Sequence, residues 1–160
     1  GPGINKNEKI MGAPVELVDI YPTLMELLDM DTPEFVSGKS FAPLLKDSNA
    51  RVRESALTEL GVNTGYGAKV SGYSIKTERY RLTQWGYRGV LGFELYDHKY
   101  DKQELNNLAN LDSYKFIKDS LTNVLSYRIS EAQRKPKGLE IIFDDAREWR
   151  EPREVFSQPK

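Results

Sequence analysis

The sequence contains no cysteine and a single histidine, His98, among its 160 residues. That excludes disulfides, thiolate chemistry and Cys-ligated metal within the chain, and any site built on several histidines. Excess charge is missing too, since 23 Lys and Arg against 24 Asp and Glu leave a formal net charge of −1. Such a balance gives no electrostatic footprint for nucleic acid or an anionic membrane surface. No apolar run approaches the ~18–20 residues of a membrane span. Chemistry carried by this chain alone would fall to carboxylates, Lys, Tyr, Ser or Thr. What is present suits a folded globule: 39% hydrophobic and 29% charged residues. The length is about one domain at ~100–200 residues per domain.

The best helix signal of the first half is residues 19–28, where Ile20, Leu24, Leu27 and Leu28 recur on one face. Asp19 reads as its N-cap, bonding the Tyr21 amide, with Pro22 tolerated in the first turn. Gly38-Lys39-Ser40 spells the end of a phosphate-binding loop, but the upstream glycine and the preceding strand are absent. It reads as a turn leading into one or two helical turns at residues 41–45.

The period then changes. Residues 55–60 read as a strand, 61–68 as a glycine-rich loop without regular structure. Residues 71–77 and 80–85 read as two antiparallel strands joined near Glu78 and Arg79. Residues 93–96 form a fourth strand and 97–101 a turn. Residues 103–109 are expected as a short helical segment. A long helix follows at about 113–134, striped by Ile117, Leu121, Val124 and Leu125 and stopped by Pro136 and Gly138. Residues 139–143 could add a strand before a charged tail. The expected fold class is α+β, a small antiparallel sheet of about four strands packed by a long C-terminal helix.

Three segments together resemble the C-terminal part of the formylglycine-dependent sulfatases. The first is residues 13–24 followed by Gly38-Lys39-Ser40-Phe41. The second is Gly72-Tyr73-Ser74-Ile75-Lys76-Thr77 running into Tyr80-Arg81 and Trp85. The third is Glu94-Leu95-Tyr96-Asp97, then Asp101, then Glu104-Leu105-Asn106-Asn107-Leu108-Ala109. Their order and spacing match that family. The segment from Gly72 to Trp85 is most similar to the iduronate-2-sulfatase branch, which has arginine where Lys76 stands. The resemblance implies that residues 1–50 end a catalytic α/β domain, 51–138 form the C-terminal subdomain and 139–160 an extension.

The family's nucleophile is made from a Cys or Ser in a Cys/Ser-x-Pro-x-Arg motif. Ser40 has its proline one place late, and Ser157 is followed by Gln158-Pro159-Lys160 with no arginine. The resemblance therefore implies a fragment with no catalytic residue and no metal ligand on this chain, and predicts it inactive alone. Calcium and formylglycine are expected in the intact parent protein, and the Gly1-Pro2-Gly3 start fits a cut inside a longer chain. Its implied partners are an upstream sulfatase catalytic domain and a sulfated carbohydrate, with no nucleic acid and no membrane. The family implies a periplasmic, secreted or lysosomal parent. Apolar surface parted from the rest of the protein predicts self-association of the isolated chain. The rival reading is a non-catalytic carbohydrate-binding or interaction module on the same scaffold.

Candidate substrate-binding residues are Lys76, Arg79 and Trp85 at the central strands, and Asn63, Tyr66 and Lys69 in the glycine-rich loop. A sulfated or carboxylated sugar needs cations for its anionic groups and an aromatic surface for its ring. The competing reading is a strand pair with solvated cations on one face and core aromatics on the other. Asp97-His98 reads as a solvated turn rather than a metal pair. Asp97, Asp101 and Glu104 lack the calcium-loop pattern and read as a turn and helix cap.

Overall fold

The structure, a computed structural model, describes residues 12–47, 49–63 and 69–134. They fall into two compact units that divide after Ala56.

In the first unit a 3-10 turn, Leu17–Asp19, runs directly into helix α1, Ile20–Leu27, and a short helix α2 spans Ala42–Lys46. The Asp19 side chain does not cap α1. It turns back instead: Oδ2 accepts the Glu16 N–H at 2.8 Å, and Oδ1 accepts the Lys39 N–H at 2.8 Å. Oδ1 also takes the Arg53 guanidinium, whose other arm reaches Glu16 Oε2 at 2.7 Å. The reason is burial: Asp19 is fully enclosed, and an enclosed carboxylate needs a countercharge more than a helix amide needs a cap.

Thr23, one turn on, accepts the Phe41 N–H at 2.9 Å and donates to the Asp19 carbonyl at 2.6 Å. Gly38 lies so close to the Val18 carbonyl that a Cβ there would overlap it. The Gly38-Lys39-Ser40 sequence is thereby explained as a latch strand against the start of α1, with Ser40 Oγ accepting the Ala42 N–H at 3.1 Å at the head of α2. Along α1 the buried residues are Pro22 and Thr23, while Ile20, Leu24, Leu27 and Leu28 stay about half exposed.

The second unit is a four-stranded antiparallel sheet in the order β1-β2-β3-β4, with β1 Ala56–Asn63, β2 Lys69–Lys76, β3 Tyr80–Trp85 and β4 Gly92–Asp97. The α+β expectation holds. β1 runs further than its sequence suggested, taking in Gly61, Val62 and Asn63. Alternation sorts the side chains. Ile75, Leu82 and Leu95 are aligned across three strands. Each is fully buried, and they form one cluster with Leu121 and Leu125 of helix α3, Lys115–Ala132. Val124, expected on that stripe, is 38% exposed and lies off it. The expected strand at 139–143 lies outside the described residues.

Residues 103–109 are not helical. They form an irregular run that covers the edge of β4. Asn107 Oδ1 accepts the Leu95 and Ala109 N–H groups at 3.0 and 2.9 Å, and its Nδ2 donates to the Phe93 carbonyl at 3.1 Å. The Leu108 N–H bonds the Leu95 carbonyl at 2.8 Å. An edge strand exposes unpaired backbone groups, and a side-chain amide can stand in for a neighbouring strand. That demand outweighs the helical spacing of the sequence.

Candidate functional site

The sheet face turned away from α3 is polar. Its rows, read across β2, β3 and β4, are Gly72, Trp85 and Gly92; Ser74, Thr83 and Glu94; and Lys76, Arg81 and Tyr96. Trp85 packs over Gly72, where a Cβ would sit 2.6 Å from the ring, so the glycine makes room for the indole. Thr83 Oγ1 and Ser74 Oγ are 3.0 Å apart in the middle row. At the third row, burial and then the facing Arg81 lower the pKa of Lys76. Its ammonium donates to the Thr77 carbonyl and, at 3.2 Å, to the Glu78 carbonyl. Tyr96 is raised by burial and then by Glu94.

The hairpin between β2 and β3 is tied by Thr77, whose Oγ1 accepts the Tyr80 N–H at 2.8 Å. Arg79 at its tip forks onto Asp97, with Nε to Oδ1 at 2.8 Å and Nη2 to Oδ2 at 2.6 Å. Its planar group stacks 4.7 Å from the Tyr80 ring. Asp97 is buried and also accepts the Lys99 N–H at 3.1 Å. The Arg79 hydrogen bonds hold its carboxyl below the ordinary carboxylate range against the opposing effect of burial.

A depressed carboxyl contributes stability above the unfolded-state pKa of ~3.9 and loses it as pH falls through the folded-state value. The urea midpoint should therefore fall between about pH 5 and pH 2. Asp97→Asn should be less stable at pH 7 yet flatter over that window. Equal slopes for the two proteins would refute the role given to this pair.

The six sequence candidates fall at different places. Lys76 and Arg79 sit at the hairpin end of the sheet, and Arg79's fork is engaged by Asp97. Asn63 ends β1 and Lys69 begins β2. Trp85 lies opposite Gly72, nearer that end. Lys69 and Lys76 are the two ends of β2, with backbones roughly 23 Å apart at ~3.3 Å per residue. Tyr66 lies outside the described residues.

Sequence reasoning missed a cluster beside Lys76. His98 is not a solvated turn residue: its Nε2 lies 2.5 Å from Glu104 Oε1, with both side chains mostly enclosed. Arg81 Nε lies 2.9 Å from the same oxygen. Glu104 caps no helix, and Asp101 instead accepts the Asn106 N–H at 2.8 Å. The signal was in the sequence once the hairpin is closed at Thr77–Tyr80, because that closure sets Lys76 opposite Arg81.

Among the described residues, no three His, Cys, Asp or Glu side chains converge as metal ligands. These residues do not fit a calcium cage. An open cleft of about 470 Å³ in the first unit is bordered by Glu26, Asp29 and Asp31, the wrong sign for an anionic sugar.

An antiparallel sheet with a covered edge and one long helix packed on one face defines the class, an α+β domain. The chain belongs to the family described as N-sulphoglucosamine sulphohydrolase, C-terminal, which it matches over residues 2–133. It is 32% identical over 115 residues to arylsulfatase K of Mus musculus, covering 68% of this chain and 20% of that protein. It is 29% identical over 133 residues to an arylsulfatase of Clostridium perfringens, covering 83% of this chain and 26% of the relative. Among solved structures it resembles BT1596, a 2-O GAG sulfatase, with a TM-score of 0.71 and 27% identity over 82% of this chain and 28% of that one. The chain thus spans less than a third of each of these proteins. No helix among the described residues is long and apolar enough to cross a membrane.

Proposed function

We propose that this chain is the C-terminal part of a sulfatase that hydrolyses sulfate esters of a glycosaminoglycan-type carbohydrate, and that it shapes the substrate pocket while the nucleophile and calcium belong to the rest of the parent protein. The family match over residues 2–133 carries this reading. The likeness to a 2-O GAG sulfatase supports a sulfated glycosaminoglycan as substrate; the finer reading, an iduronate-2-sulfatase-like enzyme, rests on the motif from Gly72 to Trp85. Lys76 and Trp85 offer a cation and a ring platform on the polar face. Asn63, Tyr66 and Lys69 would approach the substrate from the β1–β2 connection, and Arg79 would hold the hairpin on which Lys76 stands.

The partner surface is the apolar side of α1. Leu17, Ile20, Leu24, Leu27 and Leu28 are 46–86% exposed, and contiguous apolar area of that kind marks an interface. The upstream catalytic domain would cover it; in its absence a second copy would. The sulfatase relatives support a secreted, periplasmic or lysosomal setting for the parent protein.

Sulfate release tests the reading. The purified chain should release none from a 2-O-sulfated uronate disaccharide, and the parent protein containing it should turn over. Release by the chain alone would place the nucleophile here and overturn the division of labour. A parent inactive on every sulfated sugar would overturn the function.

A further inference from the structure

We propose that Lys76, Arg81 and His98 form a seat for an oxyanion, a sulfate ester or a carboxylate, which Glu104 fills as a built-in stand-in. The seat is a binding site in its own right, and it rests on the sulfatase reading only for the source of its ligand. Lys76 and Arg81 are register partners on one sheet face. Such partners have Cβ atoms ~4.5–5.5 Å apart, and like charges there are destabilising unless an anion lies between them. Glu104 supplies an anion on the Arg81 side, and its charge also acts on Lys76. A single carboxylate oxygen, Oε1, meets Arg81 Nε at 2.9 Å and His98 Nε2 at 2.5 Å.

The fit is imperfect in a telling way. Arg81 Nε is buried and makes no aligned hydrogen bond despite that proximity. A buried N–H without an acceptor is costly, so a better-placed oxyanion would be favoured there. The Lys76 ammonium has three donors and gives to two backbone carbonyls, those of Thr77 and Glu78. Tyr96, opposite Arg81, closes the row.

Glu104 itself is replaceable. It comes from the irregular run after β4, not from the sheet, and its backbone is left-handed with φ of 59°. A non-glycine residue in that region carries strain that only its surroundings hold in place. Solvent reaches the site along the Arg81 side chain, which is 41% exposed, while Glu104 and His98 are 27% and 18% exposed. An incoming sulfate or carboxylate would take the place of the Glu104 carboxylate on the same donors. The other acids whose charge reaches this row are Glu94 and Asp101, which act on Tyr96, and Glu78, which acts on Lys76.

His98 is the only histidine in the chain, so its imidazole proton resonances report the seat without assignment ambiguity. The whole 160-residue chain would be titrated with glucose 6-sulfate in one arm and glucuronate in the other. The His98 resonance should move saturably, and the arm that binds more tightly identifies the oxyanion. Glu104→Gln should tighten binding about tenfold, the worth of freeing one charge-assisted contact, and Arg81→Gln should abolish it. If Glu104→Gln loses its native amide spectrum, Glu104→Asp withdraws the carboxylate while keeping the charge and should tighten binding about threefold. No saturable shift in either arm, no tightening on removal of the carboxylate, or undiminished binding by Arg81→Gln would each overturn the proposal. Sulfate release by the parent protein would then leave the sulfatase reading standing without this seat.

Discussion

Asp19→Ala should destabilise the first unit by about 3–5 kcal/mol, the usual cost of breaking a buried ion pair by removing one partner. The cost comes from what the carboxylate leaves behind. Arg53 is enclosed to 4% side-chain exposure, and without Asp19 its remaining ion-pair partner among the described residues is Glu16. The Lys39 N–H and the Glu16 N–H lose their acceptors together. A latch that joins residues 16–19, 38–41 and 53 therefore fails at all its points. Asp19→Asn keeps the acceptor oxygen but not the charge, and should fall between the two.

Urea denaturation followed by circular dichroism measures the loss, and hydrogen exchange of the Lys39 amide localises it. If that amide stays protected in Asp19→Ala, the latch is not what holds residues 38–41 against α1. A loss below about 1 kcal/mol would equally refute it, since that is the scale of an ordinary surface change.

Leu82→Ala should cost the second unit about 2–5 kcal/mol, from lost transfer energy and the cavity left behind. Leu82 has no exposed surface and is flanked in register by Ile75 and Leu95, which have none either. Leu121 and Leu125 of α3 complete that cluster. Removing the central side chain therefore loosens the seat of the helix as well as the sheet. Phe116→Ala is the matched control on α3. Phe116 is 84% exposed, and its loss should stay within about 0.5 kcal/mol. Comparable losses for Leu82 and Phe116 would show that the core does not lie where the burial puts it.

The strands of this chain are legible because β-branched and aromatic residues alternate with polar ones over residues 71–85. A half-buried strand imposes that period wherever it sits. The long helix is legible for the same reason, through Leu121 and Leu125 one turn apart. Residues 103–109 mislead. Their spacing suits a helix, but Asn107 is used to satisfy the backbone of β4, a need that arises only when β4 lies at an edge. Asp19 misleads likewise: from the sequence it has a helix to cap, and in the fold it has Arg53, 34 residues away.

The site is legible in part. Lys76 stands out as a cation among aromatics, and Arg79 beside it. That Arg79 belongs to Asp97, and that Arg81 and His98 converge on Glu104, depends on the turn at residues 77–80 and on the path after β4. Pair contacts across 18 residues are invisible to local periodicity.

By itself the sequence determined the fold class, the absence of thiol chemistry and the family, because period, composition and motif order are properties of the chain. The tertiary structure decided which charges are structural and which are available. Arg53 and Asp19 are sealed in a latch, and Arg79 is forked onto Asp97. Arg81 and His98 converge on the Glu104 carboxylate, and the Lys76 ammonium bonds the Thr77 and Glu78 carbonyls. The physical reason is that a charge acquires its role from its partner and its burial, and both are set only when distant segments meet.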